Sequence, residues 1–326
     1  MMPMRPFILI TVLLFIACSE ESTEPTKEPV NYRQEMRRFV QEISRYAEER
    51  HAGFFIIPQN GLELLTANGE PDGAIVADYL AAIDGVGQED LFYGYVADNE
   101  PTPLSERAYL TAFCDIAKRN GVPVLTTDYC RSHPKMDDSY SQNHAKGYLS
   151  FAAPERELTV IPEYPPQPFN VNAGDIAALI AAKNFLYLIN LENFADKQSF
   201  IKAVSGTDYD LIITDCFWGD QAFTTAEVMQ MKTKHNGGRR IVVSYLSIGE
   251  AEEYRYYWQP GWTTKPPSWL GAENPQWAGN YAVRYWEQEW QKIIFGTDSS
   301  YLEQLLAAGF DGAYLDKVDA FEQETN

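Results

Sequence analysis

The chain has 326 residues, a net charge of −20, 45% hydrophobic and 13% aromatic content, enough for a sizeable core in one large domain or two ordinary ones. The charge excludes a nucleic-acid partner, whose phosphates demand a basic surface; it suits a cationic ligand as well as it suits plain solubility. Four cysteines and four histidines show neither a CxxC pair nor metal-ligand spacing, so no zinc site, disulfide framework or other metal or cofactor is expected. A GxSxG elbow and a P-loop are also missing from the sequence.

The first segment, 1–17, has Arg5 ahead of a short apolar run, too short for a membrane span and suited to a signal peptide. Phe15-Ile16-Ala17-Cys18 resembles a bacterial lipobox, which makes Cys18 the expected lipidated residue. Residues 18–31 are acidic and polar and read as a flexible tether. Ser19-Glu20-Glu21 is similar to a surface-export signal of some bacterial lipoproteins. The expected location is therefore the outer membrane, held by a lipid anchor alone, with export to the surface as an extension of that reading.

From residue 32, short apolar runs alternate with amphipathic stretches, the pattern of βα units on a parallel sheet. The runs are 54–57, 85–92, 122–125, 185–191, 211–213, 241–246, 281–283 and 313–315. Eight is the strand number of a (β/α)8 barrel, a TIM barrel. Helical patterns fill 32–49, 107–119, 225–235 and 301–308, with Gly121 and Gly309 as C-cap candidates. His133, Asp137, Asp138 and His144 share one polar stretch that reads as a solvated loop. The long interval from 125 to 185 holds a proline-rich linker near 160–173, where neither helix nor central strand fits.

The last run, Gly309-Phe310-Asp311-Gly312-Ala313-Tyr314-Leu315-Asp316, brings a carboxylate to the C-terminal end of a buried strand, ten residues before the chain stops. Barrel active sites lie on that face. A barrel that meets this strand midway needs further strands, and candidates for them lie at the N-terminal end. Single-domain architecture over 32–326 in a circularly permuted order is the expectation.

Tyr209-Asp210-Leu211-Ile212-Ile213-Thr214-Asp215, Ser244-Tyr245-Leu246-Ser247-Ile248-Gly249-Glu250-Ala251-Glu252 and Asp311-Gly312-Ala313-Tyr314-Leu315-Asp316 resemble segments of glycoside hydrolase family 114, the endo-α-1,4-polygalactosaminidase group. The segments that follow in such proteins resemble 55–61, 83–89 and 124–129 here, so the content matches while the order differs. The resemblance implies a barrel hydrolase acting on a polysaccharide, with amino-sugar polymers as one class.

Polar groups then converge at the C-terminal strand ends: Gln59 with Asn60, Gln88 with Glu89, Asp128, Asp215, Tyr245 with Glu250, Arg284 with Trp286, and Asp316. Glycosyl transfer to water needs one protonated carboxyl and one ionised carboxylate. The resemblance favours Asp316 and Glu89, with Glu89 as acid/base and Asp316 as nucleophile or base, or the roles exchanged. Asp215 and Glu250 are rivals, and the other convergent residues are expected to bind substrate. Aromatic residues between 254 and 286 form a loop minicore from which one or two side chains reach the cleft. The alternative function is a lipoprotein that binds glycan without cutting it; a barrel deacetylase or lyase is a third. Oligomeric state is not encoded in any motif.

Overall fold

Residues 30–323 are described by the computed structural model, with Asn31 onward forming one unit. Segment 1–17, Cys18, nearly all of the tether and Asn326 lie outside the described residues. The helix Tyr32–Arg50 starts at Asn31, whose side chain accepts from the Gln34 N–H at 3.0 Å, and buries Met36, Phe39, Val40, Ile43 and Ala47. That spacing is one helical face.

In chain order the strands are β1 (Phe55–Pro58), β2 (Val86–Glu89), β3 (Val124–Tyr129), β4 (Leu149–Ala153), β5 (Phe185–Leu188), β6 (Leu211–Thr214), β7 (Phe217–Trp218), β8 (Gln221–Ala222), β9 (Ile241–Ser247), β10 (Glu250–Glu252), β11 (Leu270–Glu273), β12 (Asn280–Val283) and β13 (Gly312–Asp316). Eight of them are parallel, in a sheet ordered β1-β13-β9-β6-β5 and a sheet ordered β2-β3-β4. The two sheets meet where Gln59 bridges Gly87 and Asp84 N–H donates to Ile56 O at 2.8 Å. On the far side, the Phe151 ring of β4 packs 5.8 Å from the Phe185 ring of β5.

Two sequence expectations are corrected here. Residues 281–283 are not a parallel strand: β12 lies antiparallel between β10 and β11, in a small sheet that follows β9. The eighth parallel strand is β4, inside the long interval from 125 to 185. The polar stretch before it is no loop but the helix His133–Lys146, which buries Met136, Ser139, Tyr140 and Asn143 and ends at Gly147 with φ 70°. Proline in its first turn and glycine past its last match the usual asymmetry of helix ends. Residues 154–178 carry no helix or strand, in keeping with the proline-rich linker.

The pleat decides which residues face inward. Tyr314 of β13 lies beside Tyr245 of β9 and reaches across to Gly87, where a Cβ would sit 2.0 Å from its hydroxyl. The Tyr187 ring meets the Tyr314 ring edge-on at 5.2 Å. A layer of tyrosines therefore fills the interior directly beneath the strand ends. The first helix meets the last turn, since the Arg33 guanidinium lies 5.7 Å from the Phe321 ring centroid.

Candidate active site

Three neighbouring strands, β13, β1 and β2, carry at or just past their ends an inward-facing polar residue followed by a left-handed one: Asp316 by Lys317 (φ 59°), Gln59 by Asn60 (φ 59°), Glu89 by Asp90 (φ 58°). Such backbone is unusual for residues other than glycine and clusters at functional sites. Gly249 makes room for one of these turns, because a Cβ there would lie 2.2 Å from Lys317 O. The three ends open into a cleft of about 950 Å³, also lined by Tyr129, Tyr187, Asp215, Tyr245, Glu250 and Glu252. That volume is at the upper end for small-molecule sites.

Asp316 is half-buried, and its Oδ2 accepts from the Tyr245 hydroxyl at 2.7 Å. Burial first, and the Glu89 charge second, push its carboxyl up to about 7; the Tyr245 hydrogen bond and Lys317 pull the other way. Glu89 is held on both oxygens, Oε1 by the Tyr129 hydroxyl and Oε2 by Asn60 Nδ2 at 3.0 Å. Its N–H donates to Asn60 Oδ1 at 3.1 Å. Acceptance at both oxygens suits an ionised carboxylate. The Arg156 guanidinium lies 3.9 Å from the Tyr129 ring centroid and forks onto Asp90 at 2.8 and 3.2 Å.

The rival acids are paired. Asp215 accepts from Arg255 at 2.9 Å and from the Phe217 N–H at 2.7 Å. Arg255 also binds Glu252 at 2.5 Å, so a single guanidinium spans two buried carboxylates. Glu250 takes Asn274 Nδ2 at 2.9 Å and Lys317 Nζ at 3.3 Å. Burial alone would lower Lys317, but Asp319, Glu250 and Asp316 outweigh it and raise it.

Of the other predicted positions, Gln59 is buried in the cleft and accepts from the Tyr187 hydroxyl at 2.8 Å. Four residues do not join the cleft: Asp128, Arg284, Trp286 and Gln88. Asp128 points outward, where it takes the Phe92 N–H at 2.8 Å, the Ser139 hydroxyl at 2.6 Å and Asn143 at 3.0 Å. Strand alternation makes its neighbour Tyr129 the inward residue. Arg284 is exposed beside Glu287, and Trp286 packs on Tyr32 and Tyr285. Both were placed by the misread strand 281–283. Gln88 lines an adjoining cavity of about 540 Å³ that shares Asn60, Glu89, Asp90, Tyr95 and Asp319 with the cleft.

Sequence reasoning missed Tyr129, Arg156, Glu252, Arg255, Lys317 and Asp319, all on the cleft. For Tyr129 the signal existed, since the period-2 pattern that selects Glu89 and Asp316 selects it too. Among the described residues no three His, Cys, Asp or Glu side chains are arranged to hold a metal ion.

Residues 193–326 match the model of glycoside-hydrolase family GH114. An uncharacterized protein of Methanocaldococcus jannaschii is 45% identical over 139 residues, 42% of this chain and 37% of that one. An uncharacterized protein of Thermotoga maritima is 50% identical over 82 residues, covering 25% and 24%, and one of Deinococcus radiodurans is 37% identical over 129, covering 40% and 39%. The alignments thus span between 24% and 39% of these relatives' own lengths. The family match contains Asp215, Tyr245, Glu250 and Asp316, whereas Asn60, Glu89 and Tyr129 lie before it. Over residues 193–326, the segment that bears Asp316, the chain is similar to glycoside-hydrolase family GH114.

Proposed function

We propose that the chain hydrolyses a polysaccharide, an amino-sugar polymer being the class the family likeness favours, with Asp316 as the acid and Glu89 as its ionised partner. The observation that carries this reading is the contrast between the two carboxyls: Asp316 is pushed up to about 7, while Glu89 accepts a hydrogen bond on each oxygen. Pairs whose surroundings differ in this way divide the acid and base roles. Tyr245 occupies Asp316 Oδ2, which leaves Oδ1 for the proton. That proton passes to the glycosidic oxygen as its bond to the anomeric carbon breaks. Glu89 meets the positive charge that develops there, by direct attack or by taking a proton from the incoming water.

Purified protein is incubated with poly-α-1,4-galactosamine and other glycans while new reducing ends are counted. Asp316→Asn and Glu89→Gln should abolish cleavage and keep binding. A wild type that binds but releases no reducing ends would instead be a glycan-binding module. Loss of acetate or an unsaturated product would indicate deacetylase or lyase chemistry. The anomer of the first product separates direct attack (retention) from water activation (inversion).

We further propose that the eight parallel strands close into one (β/α)8 ring whose order is a circular permutation of the family's. The β1–β13 and β1–β2 links and the β4–β5 ring contact support closure. The N-terminal segments quoted above, falling after β13 in ring order, support the permutation. For the lipid anchor proposed at Cys18, Cys18→Ser should move the protein from the membrane to the soluble fraction, since a lipidated cysteine would be the anchor. Unchanged partitioning would refute it.

A further inference from the structure

We infer that Trp277 and Tyr95 are carbohydrate-stacking platforms that flank the acid pair, so that the cleft binds several sugar units of one chain. This rests on the reading of the cleft as a polysaccharide site. The protein has seven tryptophans, all within the described residues. Trp258, Trp262, Trp269 and Trp290 pack on one another or on Tyr281 and Tyr257 at ring separations between 4.9 and 5.9 Å, within the core or against it. Trp277 is different: it is 43% exposed and lines the cleft.

Its placement is enforced. Trp277 sits in the turn joining β11 and β12, closed by Asn274 N–H to Asn280 O at 2.6 Å and Asn280 N–H to Trp277 O at 3.2 Å. Asn274 at the base of this turn donates to Glu250 at 2.9 Å, tying the turn to the cleft wall. An indole at the cleft rim, with its backbone pinned and its residue 43% exposed, has the geometry for receiving a flat apolar face. Sugar C–H faces and cationic amines both stack on such rings.

Tyr95 stands on the other flank. It is 49% exposed, belongs to the loop after β2, and lines both the cleft and the adjoining cavity. In sheet order Trp277 comes from the insertion after β9, then follow Asp316 on β13 and Glu89 on β2, and Tyr95 comes after β2. The acids therefore lie between the two rings, and the groove continues past Tyr95 into a second cavity.

The test measures KM and kcat of Trp277→Ala, Trp277→Phe, Tyr95→Ala and a control, Met229→Ala, on poly-α-1,4-galactosamine. Each alanine variant on the cleft should raise KM about tenfold, more than kcat falls, with Phe restoring most of the loss. Met229, exposed on a helix away from the cleft, should change neither. Wild-type kinetics in both cleft variants would overturn the inference and leave the hydrolase reading standing. If wild type cuts no glycan, affinity electrophoresis in the same polymer decides. Retardation of wild type that Trp277→Ala loses supports the platforms although the hydrolase reading fails, and equal mobility of the two refutes them.

Discussion

Replacing Asp316 by Asn separates the chemical role of this carboxyl from its cost to the fold. In the native protein it titrates near 7, chiefly through burial and secondarily through Glu89; in the unfolded chain it titrates near 4. Between those values the folded state holds the proton and the unfolded state does not, so stability falls as pH rises through this window. Below about pH 4 both states are protonated and the contribution vanishes. Three pH units at 1.36 kcal/mol each give a ceiling of about 4 kcal/mol above pH 7. Asp316 is only half-buried and faces an open cleft, so solvent screening brings the expected value to about 2 kcal/mol. Asparagine keeps an acceptor for the Tyr245 hydroxyl and never ionises. Asp316→Asn should therefore match wild type in thermal midpoint at pH 4 and exceed it by roughly 4–8 °C at pH 8. Cleavage should fall about 1,000-fold or more across the pH range. Paired thermal scans at five pH values provide the measurement. A midpoint difference that stays constant with pH, or a variant less stable than wild type at pH 8, would refute the reading of Asp316 as a carboxyl raised in the folded state.

Tyr129→Phe removes the hydroxyl on Glu89 Oε1 without emptying the interior; a hydrogen bond to a charged group is worth about 1.5–3 kcal/mol, so kcat/KM should drop about 10- to 100-fold. Lys234→Met leaves Asp210 buried opposite an apolar group, where the native pair is fully buried at 2.9 Å. Urea unfolding should show a loss of about 3–5 kcal/mol, with cleavage per folded molecule retained. Gly87→Ala places a methyl 2.0 Å from the Tyr314 hydroxyl. It should cost about 1–3 kcal/mol, read in the same assay, and a neutral result would show that the tyrosine layer yields easily.

The parts legible in the sequence were those written in buried apolar runs. β5, β6, β9 and β13 are fully buried, mostly apolar runs up to their last residues, and the positions in or just past them supplied Asp316, Tyr245 and Asp215. β4 escaped because three of its five residues, Ser150, Ala152 and Ala153, are small and give a weak apolar signal. The helix before it was hidden for a related reason: two of its four buried side chains, Ser139 and Asn143, are polar, and they are buried because Asp128 bonds to both. β12 carries an apolar triplet like the barrel-type runs, and only its antiparallel pairing distinguishes it. Arg255 was invisible for a deeper reason, since its two partners are Glu252 nearby and Asp215 forty residues away.

The arrangement of charges around the cleft sets Asp316 apart by the partner it lacks. Asp215 and Glu252 share Arg255, Asp90 has Arg156, and Glu250 has Lys317. Each cation opposes the effect of burial on its partner, yet burial still pushes the Asp90 carboxyl up to about 7 and raises Asp215. Asp316 forms no salt bridge among the described residues; it has a neutral tyrosine hydroxyl and the charge of Glu89 against it. The left-handed turn at Lys317 contributes to this outcome. It follows Asp316 directly and sends the lysine side chain to Glu250, so the adjacent ammonium forms its salt bridge with a different acid. A regular backbone at that position would change where the ammonium goes. The strain of a left-handed lysine, about 1–2 kcal/mol, is thus tied to the protonation state of the residue before it. A backbone irregularity, a missing ion pair and a raised carboxyl at one strand end are three aspects of a single arrangement, and its consequence is an acid that can give up its proton near neutral pH.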